Sequence, residues 1–309
     1  MKSFKKLKNK TQESIIAYSM ILPAVILLTI FVFVPLIIAV YRSFFDKTAT
    51  GNNFIGFYYY IKTFKNVNFL KSILNVFTFA AIITVSQIIL SFLFANVLVR
   101  IKGRYGIFCR TIIYLPYLLS GIVVAVIFTL LTTYNGGVLN SILESWGLDP
   151  VAWDNDNFWS PVSIIIPTMW IGFGYTTLVL FAGLKNIPRE YYEAAEIDGA
   201  SFLQSMFYIS IPSLKNYFIL LVVTGIVANL QMYEIPMIMT NGKPLNQTMT
   251  PVLYIMHNRA NGNIQDSEIT SMAILVMIVI LIINSLVFYL FKDKKEDRVW
   301  ELRNQLKSF

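Results

Sequence analysis

The chain has 309 residues, of which 56% are hydrophobic and 14% charged, and its formal net charge is +8. Soluble domains carry about 25% charged residues, so this composition argues against an ordinary soluble protein and favours a membrane protein. The basic excess does not indicate a nucleic-acid partner, because the charges lie between apolar stretches and form no basic domain.

Six apolar stretches are long enough to cross a bilayer. The hydrocarbon core is about 30 Å thick and a helix rises about 1.5 Å per residue, so a span needs about 20 residues. We therefore predict an all-α integral membrane protein with six transmembrane helices in a single domain, residues 1–309. The predicted spans lie at about 17–41, 72–99, 111–134, 161–184, 214–240 and 267–291.

The first stretch follows the basic segment KSFKKLKNK, as the apolar part of a signal peptide would. Its apolar run is longer than the roughly 7–15 residues typical of signal peptides, and no small-residue cleavage site follows it. We therefore predict a first membrane helix.

The positions of Lys and Arg predict the orientation, because basic loops tend to stay in the cytoplasm. Four segments together hold 18 of the 25 basic residues. We expect these segments, and therefore both termini, to be cytoplasmic, which requires an even number of spans. The four segments are 1–13, 100–110, 185–215 and 292–309.

The sequence offers no pattern typical of a metal, redox or catalytic site. Cys109 is the single cysteine, which excludes an internal disulfide. His257 is the single histidine, and the NRANGN segment after it supplies no carboxylate or thiol ligand. We predict no metal site, no catalytic residue and no cofactor bound by this chain.

Residues 185–212, the inner connection between the fourth and fifth spans, carry the most informative pattern. Pro188 followed by early carboxylates and YYEAAE favours a helix start, because acidic residues interact well with the positive end of a helix dipole. Gly199 then ends this helix. We predict two short helices joined at this glycine.

The second short helix, SFLQSMFYI, is predicted to present an apolar face formed by Phe202, Met206 and Ile209. Pro212 ends it before the fifth span. Such a face needs either a membrane surface or a protein groove. A membrane-binding helix carries Lys and Arg beside its apolar face, whereas this loop carries four acidic residues, so we expect a protein groove.

The spacing of the loop resembles the signature of binding-protein-dependent ABC import permeases: EAA, three residues, Gly, nine residues, Ile, any residue, Leu and Pro. The flanking GLKNIPREYYEAAEIDGAS is similar to the carbohydrate-uptake branch, which includes the maltose permease. The later TNGKP departs from the commoner T-G-G-G-P at Asn241 and Lys243. The matching loop positions are Glu193, Ala194, Ala195, Gly199, Ile209 and Pro212, with Ile211 in the leucine place.

This resemblance implies a type I ABC importer permease that imports a sugar or oligosaccharide across the bacterial cell membrane. Its implied partners are a second, distinct permease, two cytosolic ATPase subunits that hold ATP and Mg, and an extracellular or periplasmic solute-binding protein. The chain has no G-x-x-x-x-G-K-[ST] loop to hold ATP itself. The implied ATPase-coupling residues are Glu193, Ala194, Ala195, Asp198, Gly199, Ile209 and Pro212.

Polar and aromatic residues interrupt the fourth and fifth spans, and polar groups at membrane depth usually face a cavity or a neighbouring helix. Amides suit sugar hydroxyls and aromatic rings suit the apolar faces of a sugar. In the maltose permease these two helices line the sugar site, and the resemblance extends to Gly172, Tyr175 and Asn229. The predicted substrate-pathway residues are Gly172, Tyr175, Asn229, Tyr233 and Glu234.

Two uses of these residues other than sugar binding remain open on the sequence. An ion- or proton-coupled secondary transporter would use Glu234 as its relay, although it leaves the patterned inner loop unexplained. The amides and aromatics also suit simple helix packing, and packing or an interfacial position is the expected role of Tyr114, Tyr117 and Trp170.

Overall fold

The computed structural model describes residues 2–48, 51–262 and 264–291, which are predominantly helical. The helices before the inner loop are α1 (Lys2–Leu28), α2 (Val34–Ser43), α3 (Tyr58–Phe64), α4 (Val67–Arg100), α5 (Gly103–Tyr114), α6 (Gly121–Thr132), α7 (Val138–Ser145) and α8 (Trp159–Lys185). The remaining helices are α9 (Arg189–Ile197), α10 (Phe202–Ser205), α11 (Ile211–Ser213), α12 (Lys215–Leu230), α13 (Glu234–Met239), α14 (Pro251–Ala260) and α15 (Asp266–Phe291). Two strands, β1 (Phe45–Thr48) and β2 (Gly51–Phe54), pair antiparallel.

Five helical segments within the described ranges are long and apolar enough to cross a membrane. A sixth crossing exists if α5 and α6, which meet at a bend of 98°, form one span. The five segments are Ser14–Ser43, Val67–Arg100, Trp159–Lys185, Lys215–Met239 and Asp266–Val287.

The expectation of one regular helix at 111–134 is wrong. Helix α5 passes into a 3₁₀ turn at Leu115–Leu118, which contains Pro116, and α6 starts anew at Gly121. Ser120 caps α6 by accepting a hydrogen bond from the Val123 backbone NH. Proline lacks the backbone NH that a helix interior needs, and the serine supplies a helix start, so the predicted span is broken at residues 119–120.

The predicted fifth span, 214–240, also contains a break. Helix α12 ends at Leu230, and α13 begins at Glu234. Non-helical backbone at membrane depth is tolerated where it is buried in protein or lines a water-filled cavity. Residues at or next to both breaks, Gly121 and Met232 among them, line a cavity.

The first apolar segment, Ser14–Ser43, has no buried residue in its most apolar part. From Ser14 to Pro35 every side chain is exposed within this chain. A helix that is apolar all round is stable in lipid or against another chain, so this segment is suited to the bilayer and to a partner subunit.

The chain divides into two compact units, residues 1–65 with 258–275, and residues 66–257 with 276–309. In the first unit the Lys62 ammonium lies 2.6 Å from the carboxylate of Glu268, whose side chain is only 4% exposed. The Gln265 side chain contacts the Tyr59 hydroxyl and the Asp46 carboxylate. Burial and these acidic neighbours raise the pKa of Tyr59 to about 12. This polar group ties α3 to the start of α15.

The described part of the second unit has several buried apolar clusters, and two of them bind the spans around the helix breaks together. One is formed by α4, α8 and α12 with Met206 of the inner loop, and includes Phe92, Leu180, Leu214 and Leu221. The other joins α4, α6, α8 and α13 and includes Phe79, Ile83, Ala125, Ile164, Ile235 and Met239. These clusters place the breaks at 119–120 and 231–233 among the packed spans.

A close helix contact at Gly174 yields a stability prediction. A Cβ at this position would overlap the backbone carbonyl of Ile113, which cannot swing away as a side chain can. Gly174→Ala is expected to force α5 and α8 apart at a cost of about 1–3 kcal/mol, typical of overpacking. The thermal midpoint of the detergent-solubilised protein, followed by size-exclusion chromatography after heating, should fall.

Gly172→Ala provides the matched control for this helix contact. Its Cβ would meet the end of the flexible Gln87 side chain instead of backbone. We expect a smaller fall in the thermal midpoint. Equal midpoints for the Gly172→Ala and Gly174→Ala variants would contradict the close-contact explanation.

Candidate functional site

The inner loop begins with the helix α9, whose end is well defined. Pro188 occupies the N-cap and Glu190 the first turn. At the other end the Ala200 NH donates to the Ala195 carbonyl at 2.8 Å and the Gly199 NH to the Glu196 carbonyl at 3.1 Å. These two bonds form a Schellman motif, which requires the left-handed conformation that Gly199 adopts, with φ +76°.

The next turn of the loop is anchored to the membrane spans. Ser201 and Gln204 form a reciprocal capping box at the start of α10. A π-helical turn, Met206–Ser210, follows. Met206 is only 6% exposed and packs in the core cluster with α4, α8 and α12. A displacement of the loop therefore acts directly on the packed spans.

Two further contacts connect the loop with its surroundings. The Arg100 guanidinium, at the end of α4, lies 4.1 Å from the centroid of the Phe202 ring, a favourable cation–π distance. The Tyr192 hydroxyl lies 2.9 Å from that of Ser210, which ties α9 to the π-helical turn. The two short helices are thus held to each other and to α4.

The expected apolar face of Phe202, Met206 and Ile209 is only partly available to a partner. Met206 is buried in the protein's own core, and Ile209 is half-buried. Phe202 remains exposed, and the other exposed apolar side chains of the loop are Tyr191, Ile197, Leu203, Phe207 and Tyr208. Helical periodicity identified the apolar face but not which part of it the chain itself covers.

The structure gathers the predicted coupling residues on one loop. Glu193 is 54% exposed and lies 2.8 Å from Arg189 in an ion pair one helical turn away. Ala195 is half-buried like Ile209. The remaining predicted positions are exposed, namely Ala194, Asp198, Gly199 and Pro212. Their contact with an ATPase remains a prediction.

A cavity of about 650 Å³ lies among α4, α8 and α12, beside both helix breaks. Ligand sites of about 300–1,000 Å³ are typical of small-molecule pockets. All the predicted substrate-pathway residues line it, namely Gly172, Tyr175, Asn229, Tyr233 and Glu234. Their contact with a substrate also remains a prediction.

The cavity presents one flat aromatic surface. The rings of Tyr117 and Tyr175 stack with centroids 5.1 Å apart and planes 15° apart. Tyr117 lies in the 3₁₀ turn before the first break, so the break brings it to the cavity. The packing role expected of Tyr117 is present in its contact with Tyr175, and the kink, which could not be read from hydropathy, also places its ring at the cavity wall.

Amide and hydroxyl side chains line other parts of the cavity. Asn229 is 7% exposed, and its amide nitrogen donates to the Thr84 hydroxyl at 3.1 Å. The Gln87 amide nitrogen donates to the Thr176 hydroxyl at 3.0 Å. Asn229 therefore also joins α4 to α12.

Gln87 and Thr84 were not singled out from the sequence. Both lie in α4, whose predicted span, 72–99, also holds several other Ser, Thr and Asn residues. The sequence signal that could have identified Gln87 is its position near the middle of a membrane span, because an amide at that depth needs a polar partner. Gly172 leaves room for it, since a Cβ there would overlap the Gln87 amide.

Glu234 is the first residue of α13 and is half-buried at the cavity wall. A Cβ at Gly121 would overlap its carboxylate, so the glycine at the start of α6 makes room for it. The two helix breaks thus place a carboxylate and a glycine against each other. Within the described ranges Glu234 has no ion pair.

Comparison with known proteins places the chain in a family. The probable ABC transporter permease protein YurN of Bacillus subtilis is 29% identical over 93% of this chain and 99% of the relative. The trehalose/maltose transport system permease protein MalF of Thermococcus litoralis is 30% identical over 92% of this chain and 95% of the relative.

A solved structure supports the fold. The bacterial alginate ABC transporter, crystallised with an alginate pentasaccharide-bound periplasmic protein, matches with a TM-score of 0.79 at 23% identity, over 93% of this chain and 97% of the matched chain. This likeness confirms the predicted type I ABC importer permease fold. The family model of binding-protein-dependent transport system inner membrane components matches residues 87–299, more than half of the chain, and the chain therefore belongs to this family.

Proposed function

We propose that this chain is a membrane-spanning subunit of an ATP-binding-cassette importer for a sugar or oligosaccharide. A solute-binding protein delivers the sugar from outside, and a separate ATPase docks on residues 185–212. A second permease chain completes the pathway, and two ATPase subunits hold ATP and Mg. The importer lies in the bacterial cytoplasmic membrane with both termini of this chain in the cytoplasm, the side that holds most of the basic residues.

One observation carries the proposal: the inner loop and the cavity share a core cluster. Met206 of the loop and Leu221 belong to one buried cluster, and Tyr175 packs against the same cluster. Leu221 and Tyr175 also line the cavity. Contiguous packed side chains transmit a displacement between two sites. Movement of the loop by an ATPase therefore reaches the cavity wall through a short chain of contacts.

The lining of the cavity suits a sugar. The stacked Tyr117 and Tyr175 rings offer a flat apolar surface, while Gln87 and Asn229 offer amides to hydroxyl groups. Trehalose and maltose, named for the Thermococcus litoralis relative, and the alginate of the solved transporter are also carbohydrates.

The proposed cycle is alternating access between two global states. Closure of the ATPase favours one state of the loop, and the state of the loop determines which side of the membrane the cavity faces. An ATPase drives transport only if its affinity for the loop differs between the two states of the permease. This chain supplies the loop, the packed core and the cavity wall, and the partner supplies hydrolysis.

Reconstituted vesicles test this function. The complex of this chain with its permease and ATPase partners should take up sugar only with ATP inside the vesicle and the sugar-loaded binding protein on the other side. Uptake that persists without ATP, driven by a proton gradient, would instead identify a secondary transporter with Glu234 as a proton relay.

A further inference from the structure

The electrostatic character of the cavity depends on one side chain. Among the described residues that line the cavity, Glu234 is the carboxylate, and no lysine, arginine or histidine is present. The ion pairs found in the described part of the chain, Lys62–Glu268 and Arg189–Glu193, involve none of the lining residues. The charge of Glu234 is therefore not neutralised by a basic side chain of this chain's own wall.

The surroundings of Glu234 strengthen the electrostatic effect of its carboxylate on a solute in the cavity. The side chain is half-buried and faces a cavity enclosed by apolar spans. Two unit charges interact more strongly in a partly desolvated site than in water. The Glu234 carboxylate itself fills the space beside the Gly121 backbone, where a Cβ would overlap it. The wall thus holds a carboxylate in contact with the space that a solute occupies.

We infer that Glu234 is a specificity-determining residue that restricts the cavity to uncharged sugars and excludes acidic ones such as uronic acid oligosaccharides. The inference rests on the proposed function and names its substrate class. The carboxylate oxygens accept hydrogen bonds from sugar hydroxyls, and such charge-assisted bonds are about twice as strong as neutral ones. The same charge repels a substrate carboxylate that enters the cavity.

Thiol labelling measures this selectivity without knowledge of the sugar. Cys109, the single cysteine, is replaced by serine, and Ala228→Cys places a reporter on an exposed part of the cavity wall. The assembled transporter is treated with an anionic and a cationic methanethiosulfonate of similar size, sulfonatoethyl and trimethylammonioethyl, at low ionic strength. Each rate is divided by that of free 2-mercaptoethanol.

The expected result is a change in the ratio of the cationic to the anionic rate when Glu234→Gln is introduced. The ratio should fall at least about fourfold, because a unit charge within about 10 Å alters the local concentration of each reagent roughly twofold even in water, and in opposite directions. A second reporter, Ser141→Cys on the exposed face of α7, should show no change in its ratio.

Two outcomes would overturn the inference: an unchanged ratio at residue 228, or no labelling of that residue by either reagent. The labelling does not require transport, so it separates the two hypotheses. Suppose that Glu234→Gln lowers the ratio of the cationic to the anionic rate in a complex that shows no ATP-driven uptake. This result would reject the proposed function but support the effect of the Glu234 charge on the cavity. Normal uptake with an unchanged ratio would reject this inference alone.

Discussion

Glu193→Lys is expected to abolish ATP-driven uptake and to release the ATPase from the purified complex. The Glu193 carboxylate is 54% exposed on α9, where a basic groove of the ATPase would meet it. Reversal of one charge in a docked, hydrogen-bonded pair costs about 2–5 kcal/mol, which weakens docking about thirtyfold or more. Copurification of the ATPase with the tagged permease measures the loss, while membrane insertion should remain normal.

Arg189→Gln is the matched control, because it removes the ion pair that Glu193 makes within its own helix. Exposed ion pairs one turn apart contribute only about 0.3–0.5 kcal/mol, so the Arg189→Gln complex should retain its ATPase. If Arg189→Gln released the ATPase as fully as Glu193→Lys, the role of Glu193 would be to hold α9 together and not to bind the partner.

Gly199→Asp tests the docking of the ATPase by straining the backbone of the turn between α9 and α10. Open space surrounds the position, so a side chain meets no atom within 4 Å. The left-handed φ of +76° is the obstacle, and it costs most residues about 1–2 kcal/mol. We expect the turn between α9 and α10 to shift and copurification of the ATPase to fall. Gly199→Asn, which tolerates this conformation better, should retain more of it.

The sequence predicted the features whose signals are local or depend on composition. Apolar length identified the spans, and the spacing from Glu193 to Pro212 identified the inner loop and, through the resemblance, the family. The Schellman turn at Gly199 follows from the same local chemistry. Caps and turns depend on a few neighbouring residues, and a single sequence contains these.

The helix breaks and their consequences could not be read in the same way. Pro116 and Ser120 are ordinary in a membrane helix, and only the packed structure shows that the chain turns by 98° there. The position of Tyr117 at the cavity and the burial of Met206 depend on which helices become neighbours. Sequence periodicity gives the face of a helix, whereas tertiary packing decides what covers that face.

Gly172→Leu is expected to block sugar movement while the ATPase remains attached. The new side chain would occupy the space that Gln87 uses at the cavity wall. If the overpacking cost of about 1–3 kcal/mol acts on the bound sugar, the affinity for sugar falls about fivefold to a hundredfold. Uptake by vesicles should fall to a similar extent, and ATPase copurification should match that of the unmodified protein.

A graded response distinguishes blockage from misfolding. Gly172→Ala adds a single carbon, and the flexible Gln87 side chain is able to move away from it, so uptake should be reduced only a little. Misfolding would instead lower the thermal midpoint and ATPase copurification together with uptake. Full uptake by the Gly172→Leu complex would show that sugar does not pass through this cavity. Because Gly172 lies at the cavity wall and Glu193 lies on the docking loop, the Gly172→Leu and Glu193→Lys variants should fail in different assays, the first with its ATPase bound and the second without it.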